Sequence, residues 1–142
     1  MGIDQALDIS VSGITANRVH MEIISSNMAN INTTRTLQGG PYARKVPVFG
    51  EKPVEFSEAL SAAESKLSGG IEVSDIANDP TPFQKVYNPG HPDADSNGFV
   101  SLPNVSMSKE MVDMVYVSKL YEANITVYTA TKRMAQETLS IQ

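Results

Sequence analysis

The stretch Met107 to Gln142, MSKEMVDMVYVSKLYEANITVYTATKRMAQETLSIQ, contains neither Pro nor Gly and is rich in good helix formers, so its reading decides the fold. Together with Val105 and Ser106 it predicts one helix of about ten turns, or roughly 50 Å. Its apolar residues repeat by sevens. Met107, Met114, Tyr121, Tyr128 and Ala135 form one row; Leu120, Val127, Met134 and Ile141 form a second, with Met111, Val117, Ile125 and Leu139 widening the stripe. A helix this long exceeds what a compact enzyme core uses, and its stripe demands other helices to lie against.

The opposite end of the chain carries a matching pattern. From Ile3 to Ala29, Leu7, Ile14, Met21 and Met28 are spaced by seven, and Ile3, Ser10, Asn17, Ile24 and Ile31 fill the complementary row. Ser10 and Asn17 are polar members of that seam, which weakens it but fixes register. Gly13 costs a helix about 1 kcal/mol relative to Ala and permits a neighbour to approach closely. Two long amphipathic helices at the chain ends predict a paired stalk. The assembly interface is expected at Leu7, Ile14, Met21, Ile24 and Met28 on the first helix, and at Met114, Val117, Leu120, Tyr121, Val127, Tyr128, Met134 and Ile141 on the second.

Between the helices the period changes. Asn27, Asn30, Asn32, Thr33 and Thr34 end the first helix, because Asn tolerates a left-handed cap and Thr resists helix. Gly39-Gly40-Pro41 forces a turn. Residues 43–49, 71–76, 83–87 and 98–102 read as short strands, Pro47 marking an edge, and together predict a small antiparallel sheet. A short helix is expected over Ser57 to Leu67, with Phe56, Leu60, Ala63 and Leu67 on one side. Its flanks Glu51-Lys52-Pro53 and Ser68-Gly69-Gly70 mark residues 51–69 as an excursion. The expected class is α+β: a discontinuous coiled-coil stalk of residues 1–34 and 105–142, and a β-rich middle domain of residues 35–104.

Composition limits function. A net charge of −5 leaves no basic stripe, which argues against nucleic acid and anionic membrane surfaces as partners. Cys is absent, removing disulfides and thiolate chemistry. No run approaches the ~20 apolar residues of a membrane span. Met1-Gly2-Ile3-Asp4-Gln5 has neither a basic nor a continuous apolar region, so any export is expected by a route other than ordinary signal-peptide secretion.

Catalytic and metal-binding readings fail on their own geometry. Asp93-Ala94-Asp95-Ser96-Asn97-Gly98 matches the first half of a calcium loop, but the twelfth position is Asn104 instead of a bidentate Glu, and Pro103 precedes it. A turn in which Asp and Asn bond their own backbone fits better. His20 and His91 lack a carboxylate pattern at ligand spacing, and Gly39-Gly40 is followed by neither a Lys-Ser/Thr pair nor a helix start. No metal, cofactor, small-molecule substrate or catalytic group is expected.

Ser25-Ser26-Asn27-Met28-Ala29-Asn30-Ile31-Asn32-Thr33-Thr34 resembles the N-terminal signature of the bacterial flagellar rod and hook proteins. Glu110-Met111-Val112-Asp113-Met114, followed by Tyr121-Glu122-Ala123-Asn124, resembles the C-terminal one. Gly39-Gly40-Pro41-Tyr42, Val86 to Asp95 with its His91-Pro92-Asp93 core, Gly98-Phe99-Val100 and Pro103-Asn104-Val105 are similar to the proximal-rod members of that family. Lys119-Leu120 stands where Arg-Ala is usual, and Ser25-Ser26 where Ser-Asn is commoner. The resemblance implies a structural, non-enzymatic subunit that polymerises through its terminal helices into a hollow drive shaft, transmitting torque and passing export substrates. It further implies export by the flagellar type III apparatus, a place in the basal-body rod across the periplasmic region, and contacts with itself, other rod proteins and the export-gate and ring components at the rod base. A coiled-coil adaptor that does not polymerise is the alternative reading of the stripes.

Overall fold

The computed structural model describes residues 3–52 and 69–140. The expected helix over Ser57 to Leu67 therefore lies outside the described residues, as does Ile141. Two long helices frame the chain, α1 (Ile3–Ala29) and α2 (Met107–Ser140), and between them run β1 (Lys45–Glu51), β2 (Ile71–Asn78), β3 (Gln84–Tyr87) and β4 (Phe99–Leu102).

The helices are antiparallel. Gly13 lies against Asn124, Ser118 Oγ donates to Met21 Sδ at 3.7 Å, and Asn27 Nδ2 donates to Glu110 Oε2 at 3.0 Å, so positions climb along α1 as they descend along α2. At the Gly13 crossing a Cβ would sit 2.8 Å from Asn124 Nδ2, and the missing side chain is what admits that amide. Ile24, three residues from both Met21 and Asn27, shares their face and is buried to 1% exposure. The adjoining face of α1 meets the first hairpin: Ile71 N–H donates to Ser12 Oγ at 3.1 Å, His20 stacks edge-on to Phe49 at 5.6 Å, and Ala16 and Ile23 are buried on the same side. The core is thus a thin layer on both flanks of α1.

The seam of α2 differs from the expected one. Its buried and half-buried residues include a row of Glu110, Met114, Val117, Tyr121, Asn124, Tyr128, Thr131 and Ala135, alternating in steps of four and three, with half-buried Asp113 and Ser118 beside it. The row from Met114 to Ala135 is where periodicity puts it, but its companion is Glu110, Val117, Asn124 and Thr131. Leu120, Val127 and Met134 point outward, turned aside from the Val117 row at 100° per residue. The reason is chemical: α1 offers an amide at Asn27 and an open notch at Gly13, and these accept Glu110 and Asn124 where a purely apolar row would leave polar groups unpaired.

The four strands form two separate two-stranded sheets instead of one. β1 and β2 pair antiparallel from Lys45↔Asn78 to Glu51↔Ile71, with a bulge at Val48/Phe49; Pro47, opposite Ile76, is tolerated because both strands of a pair are edges. β3 and β4 pair from Gln84↔Leu102 to Tyr87↔Phe99. The chain between the hairpins is turned by Asn104, whose Nδ2 donates to the carbonyls of Asp79 (3.2 Å) and Thr81 (2.8 Å), directing β3 away from β2.

Helix α1 also ends differently from expectation. Among the described residues only glycines have positive φ, so no Asn adopts a left-handed cap. Instead Asn30 Nδ2 donates to the Ser26 carbonyl at 2.9 Å, and Thr33 Oγ1 donates to Asn30 Oδ1 at 3.2 Å, satisfying groups the helix end leaves open. The following turn is closed by Thr36 N–H to the Gly40 carbonyl (2.9 Å) and needs Gly39 and Gly40 at φ 86° and 77°.

Candidate functional site

Where α1 ends, β1 begins and α2 begins, a charged residue is fully enclosed. Glu110 is 0% exposed, and a buried carboxylate persists only if it is paired. Its Oε1 accepts from Arg44 Nε at 2.6 Å and its Oε2 from Asn27 Nδ2. The Arg44 guanidinium fork continues to Asp79 (Nη1, 3.2 Å) and Asp113 (Nη2, 3.1 Å), so one cation faces three carboxylates, two on α2 and one just past the end of β2. Burial works against the Arg44 charge, but the hydrogen bonds and charges of Glu110 and Asp79 outweigh it and hold the guanidinium above its ordinary pKa.

Asn27 is the second centre of this hub. Its Oδ1 accepts from Tyr42 Oη (3.0 Å) and from the Lys45 N–H (2.9 Å), and its Nδ2 donates also to the Lys45 carbonyl (2.8 Å), so the side chain substitutes for a neighbouring strand at the start of β1. Ser26 Oγ lies 3.5 Å from Tyr42 Oη. Asn104 Oδ1 accepts from the Arg44 N–H at 2.7 Å beside buried Pro103. Among the described residues no buried side-chain polar atom lacks a partner. Asp79 is held below the ordinary carboxylate value chiefly by the hydroxyl and N–H of Thr81, then by Arg44. His20, nearby on α1, is lowered by burial, with Asp113 opposing.

The motif residues thus divide. Ser26, Asn27, Asn30, Pro103 and Asn104 cluster at the hub. His91, Pro92, Asp93 and Asp95 lie in the β3–β4 turn: Asp95 Oδ1 accepts from the N–H groups of Asn97 and Phe99, His91 Nδ1 from that of Asp93, and Asp93 Oδ2 from Thr34 Oγ1 at 2.8 Å. These carboxylates serve their own backbone and the loop after α1, and the described residues contain no grouping of three metal-ligating side chains. Tyr121 and Asn124 face α1, whereas Ala29, Glu122 and Ala123 are exposed.

The residues expected at the assembly interface divide as well. Ile24 and Val117, each 1% exposed, are spent inside the subunit. Leu7, Ile14, Met21, Met28, Met114, Tyr121 and Tyr128 are half-buried along the seam. Leu120, Val127 and Met134 belong to a second row, Val112, Tyr116, Leu120, Ala123, Val127, Ala130 and Met134, again in steps of four and three, uncharged and exposed throughout. Val112 and Tyr116 are 68% and 63% exposed. On α1, Asp4, Arg18 and Glu22 are exposed.

Periodicity found neither Arg44 nor Tyr42, Asp79 and Asp113; Tyr42 and Asp113 entered only within the stretches that carry the family resemblance. Within the helix pattern the signal was Glu110, a charge standing seven residues before Val117 in a row otherwise facing a partner, which calls for a buried cation elsewhere.

Comparison with known proteins follows the same division. Residues 7–35 match the family described as flagella basal body rod protein, and residues 96–141 match the flagellar basal body rod FlgEFG protein C-terminal family. The flagellar basal-body rod protein FlgC of Bacillus subtilis is 42% identical, the match spanning 96% of this chain and 95% of the relative. FlgC of Aquifex aeolicus is 38% identical over 97% and 96% of the two chains, and FlgC of Borreliella burgdorferi 36% over 99% and 98%. With helices, hub and turns all inside the matched span, the chain belongs to the FlgC family of flagellar basal-body rod proteins and is a structural, non-enzymatic rod component.

Proposed function

We propose that the subunit polymerises through its terminal helices into the proximal rod, residues 1–34 and 105–142 forming the packed tube and residues 35–104 standing outside it. The observation that carries this reading is the second seam of α2. A seven-residue row without a charge, exposed along some 20 residues of helix, is far more than a soluble monomer leaves uncovered. Its alternating steps suit another helix lying alongside. Many such contacts in parallel transmit torque although none is strong alone, while the hub stops the middle domain from turning on the stalk. Neighbours in this reading are further copies, other rod proteins and, at the rod base, export-gate and ring components; the place is the periplasmic rod, reached through the flagellar type III apparatus.

The test is Val127→Asp. A charge in the second seam is expected to leave the monomer folded while abolishing co-sedimentation with partner rod subunits and swimming. Normal swimming with this variant would refute polymerisation through α2 and favour an adaptor that binds without assembling.

A further inference from the structure

We propose that the turn at Thr36–Gly40 seats Leu37 in the groove between α1 and β2 of a second copy of this chain. This rests on the assembly reading above and adds a contact away from the helix seams. Leu37 is fully exposed, at 108%. It stands at the tip of a turn held shut by Thr36 N–H to Gly40 O (2.9 Å), Gly39 N–H to Thr36 O (3.0 Å) and Thr36 Oγ1 to Gly39 O (3.2 Å). A side chain carried on a closed turn surrenders little further backbone freedom on binding.

The receiving groove measures about 910 Å³, and its described lining is apolar at Ile9, Val11, Val19, Ile71 and Val73. Around that floor stand the carboxylates of Asp8, Glu72 and Asp75 against, among the described lining residues, the one cation Lys52. Just before the turn, two residues from Leu37, stands Arg35, whose side chain is 79% exposed and whose ion pair to Asp93 is as long as 3.9 Å. An apolar tip flanked by a guanidinium therefore meets an apolar floor with an acidic rim, which is charge complementarity between two places on the same molecule. The turn lies past the C-terminal end of α1 and the groove around Ser12, so the two are about 25 Å apart along the helix axis. A protrusion and its receptor at different places make a heterologous contact, which repeats along a line or helix instead of closing as a pair.

The chain has no Cys, so engineered thiols report directly. Leu37→Cys and Val11→Cys chains are mixed and oxidised, and the double variant is oxidised in isolated basal bodies. Both positions are exposed, and circular dichroism checks the fold. Mixed dimers are expected to form several-fold faster than from Leu37→Cys with Val86→Cys, an exposed position on β3, and assembled rods are expected to give a covalent ladder. No excess over that control together with rods lacking a ladder overturns the Leu37 contact while leaving helix-driven assembly standing. Capture of a different rod protein by Leu37→Cys, or faster closure of Val11→Cys onto Leu60→Cys of its own chain, overturns it too.

Discussion

The hub and the second seam of α2 sit on the same helix and follow opposite rules. At Glu110 both carboxylate oxygens are matched within the chain; from Val112 to Met134, on another side, no charge is present and the row is exposed throughout. Polar closure fixes one geometry, because a misplaced guanidinium leaves charges unpaired. Apolar exposure fixes no partner by itself but supplies the burial that association needs. The subunit thus keeps its specificity inside and its adhesion outside.

The comparison breaks most sharply at Glu110. Glu110→Ala leaves Arg44 enclosed and uncompensated and is expected to cost about 3–5 kcal/mol in chemical denaturation. Replacing Arg44 and Glu110 together by Met is expected to cost less than the two single changes summed, because neither member of the most enclosed pair is then left without the other; Asp79 and Asp113, which lose the same cation, are more exposed than Glu110. Additive losses would mean that the ion pair is not the coupling element.

At Val127 the effect on the isolated subunit is expected to stay within about 0.5 kcal/mol for Val127→Asp, a surface change, against complete loss of assembly. A denaturation midpoint that falls as far as that of Glu110→Ala would place Val127 in the monomer core.

Gly13→Ala tests the seam between these extremes. The new methyl meets the Asn124 amide, and such overpacking costs typically 1–3 kcal/mol, offset in part by the ~1 kcal/mol gain in helix propensity. Asn124→Ala in the same chain is expected to restore or exceed the original stability; failure to do so would mean the notch does not serve Asn124.

The smallest effect expected is with pH. Burial lowers His20 below its ordinary 6.5, so the unfolded chain takes up the proton first. Stability is therefore full above that value, falls as pH drops between the unfolded and folded pKa, and then levels; His20→Phe should remove that slope. Asp79, lowered from 3.8, adds a second loss in more acid solution as pH falls through its folded value. A slope between neutrality and pH 5 that survives His20→Phe assigns the titration elsewhere.

Much of the frame was legible. The bounds of α1 agree with the apolar periodicity at both ends, and α2 occupies the stretch free of Pro and Gly as far as Ser140, the last described residue. The Asp93–Asn104 turn behaves as its Asp and Asn spacing implies. Which apolar row faces α1 was not legible, because hydrophobicity marks an inner and an outer interface alike; Leu120 and Val127, expected at the assembly interface, are as apolar as the residues that meet α1. The hub was hidden for another reason. Arg44 and Glu110 are 66 positions apart, and a charged residue beside Lys45 in a strand looks like any solvated one until the opposite end of the chain closes over it.

That closure bears on how the chain reaches its fold. Asn27 and Glu110 are separated by 83 positions; Tyr42 lacks its acceptor until Asn27 is in place, and Arg44 lacks its shortest ion pair until Glu110 is. Contacts between such distant positions form late, since the intervening loop must be ordered first. A chain ending short of Glu110 would leave Arg44 with Asp79 alone in an unfinished cleft, so the joint cannot close until the first turns of α2 have arrived.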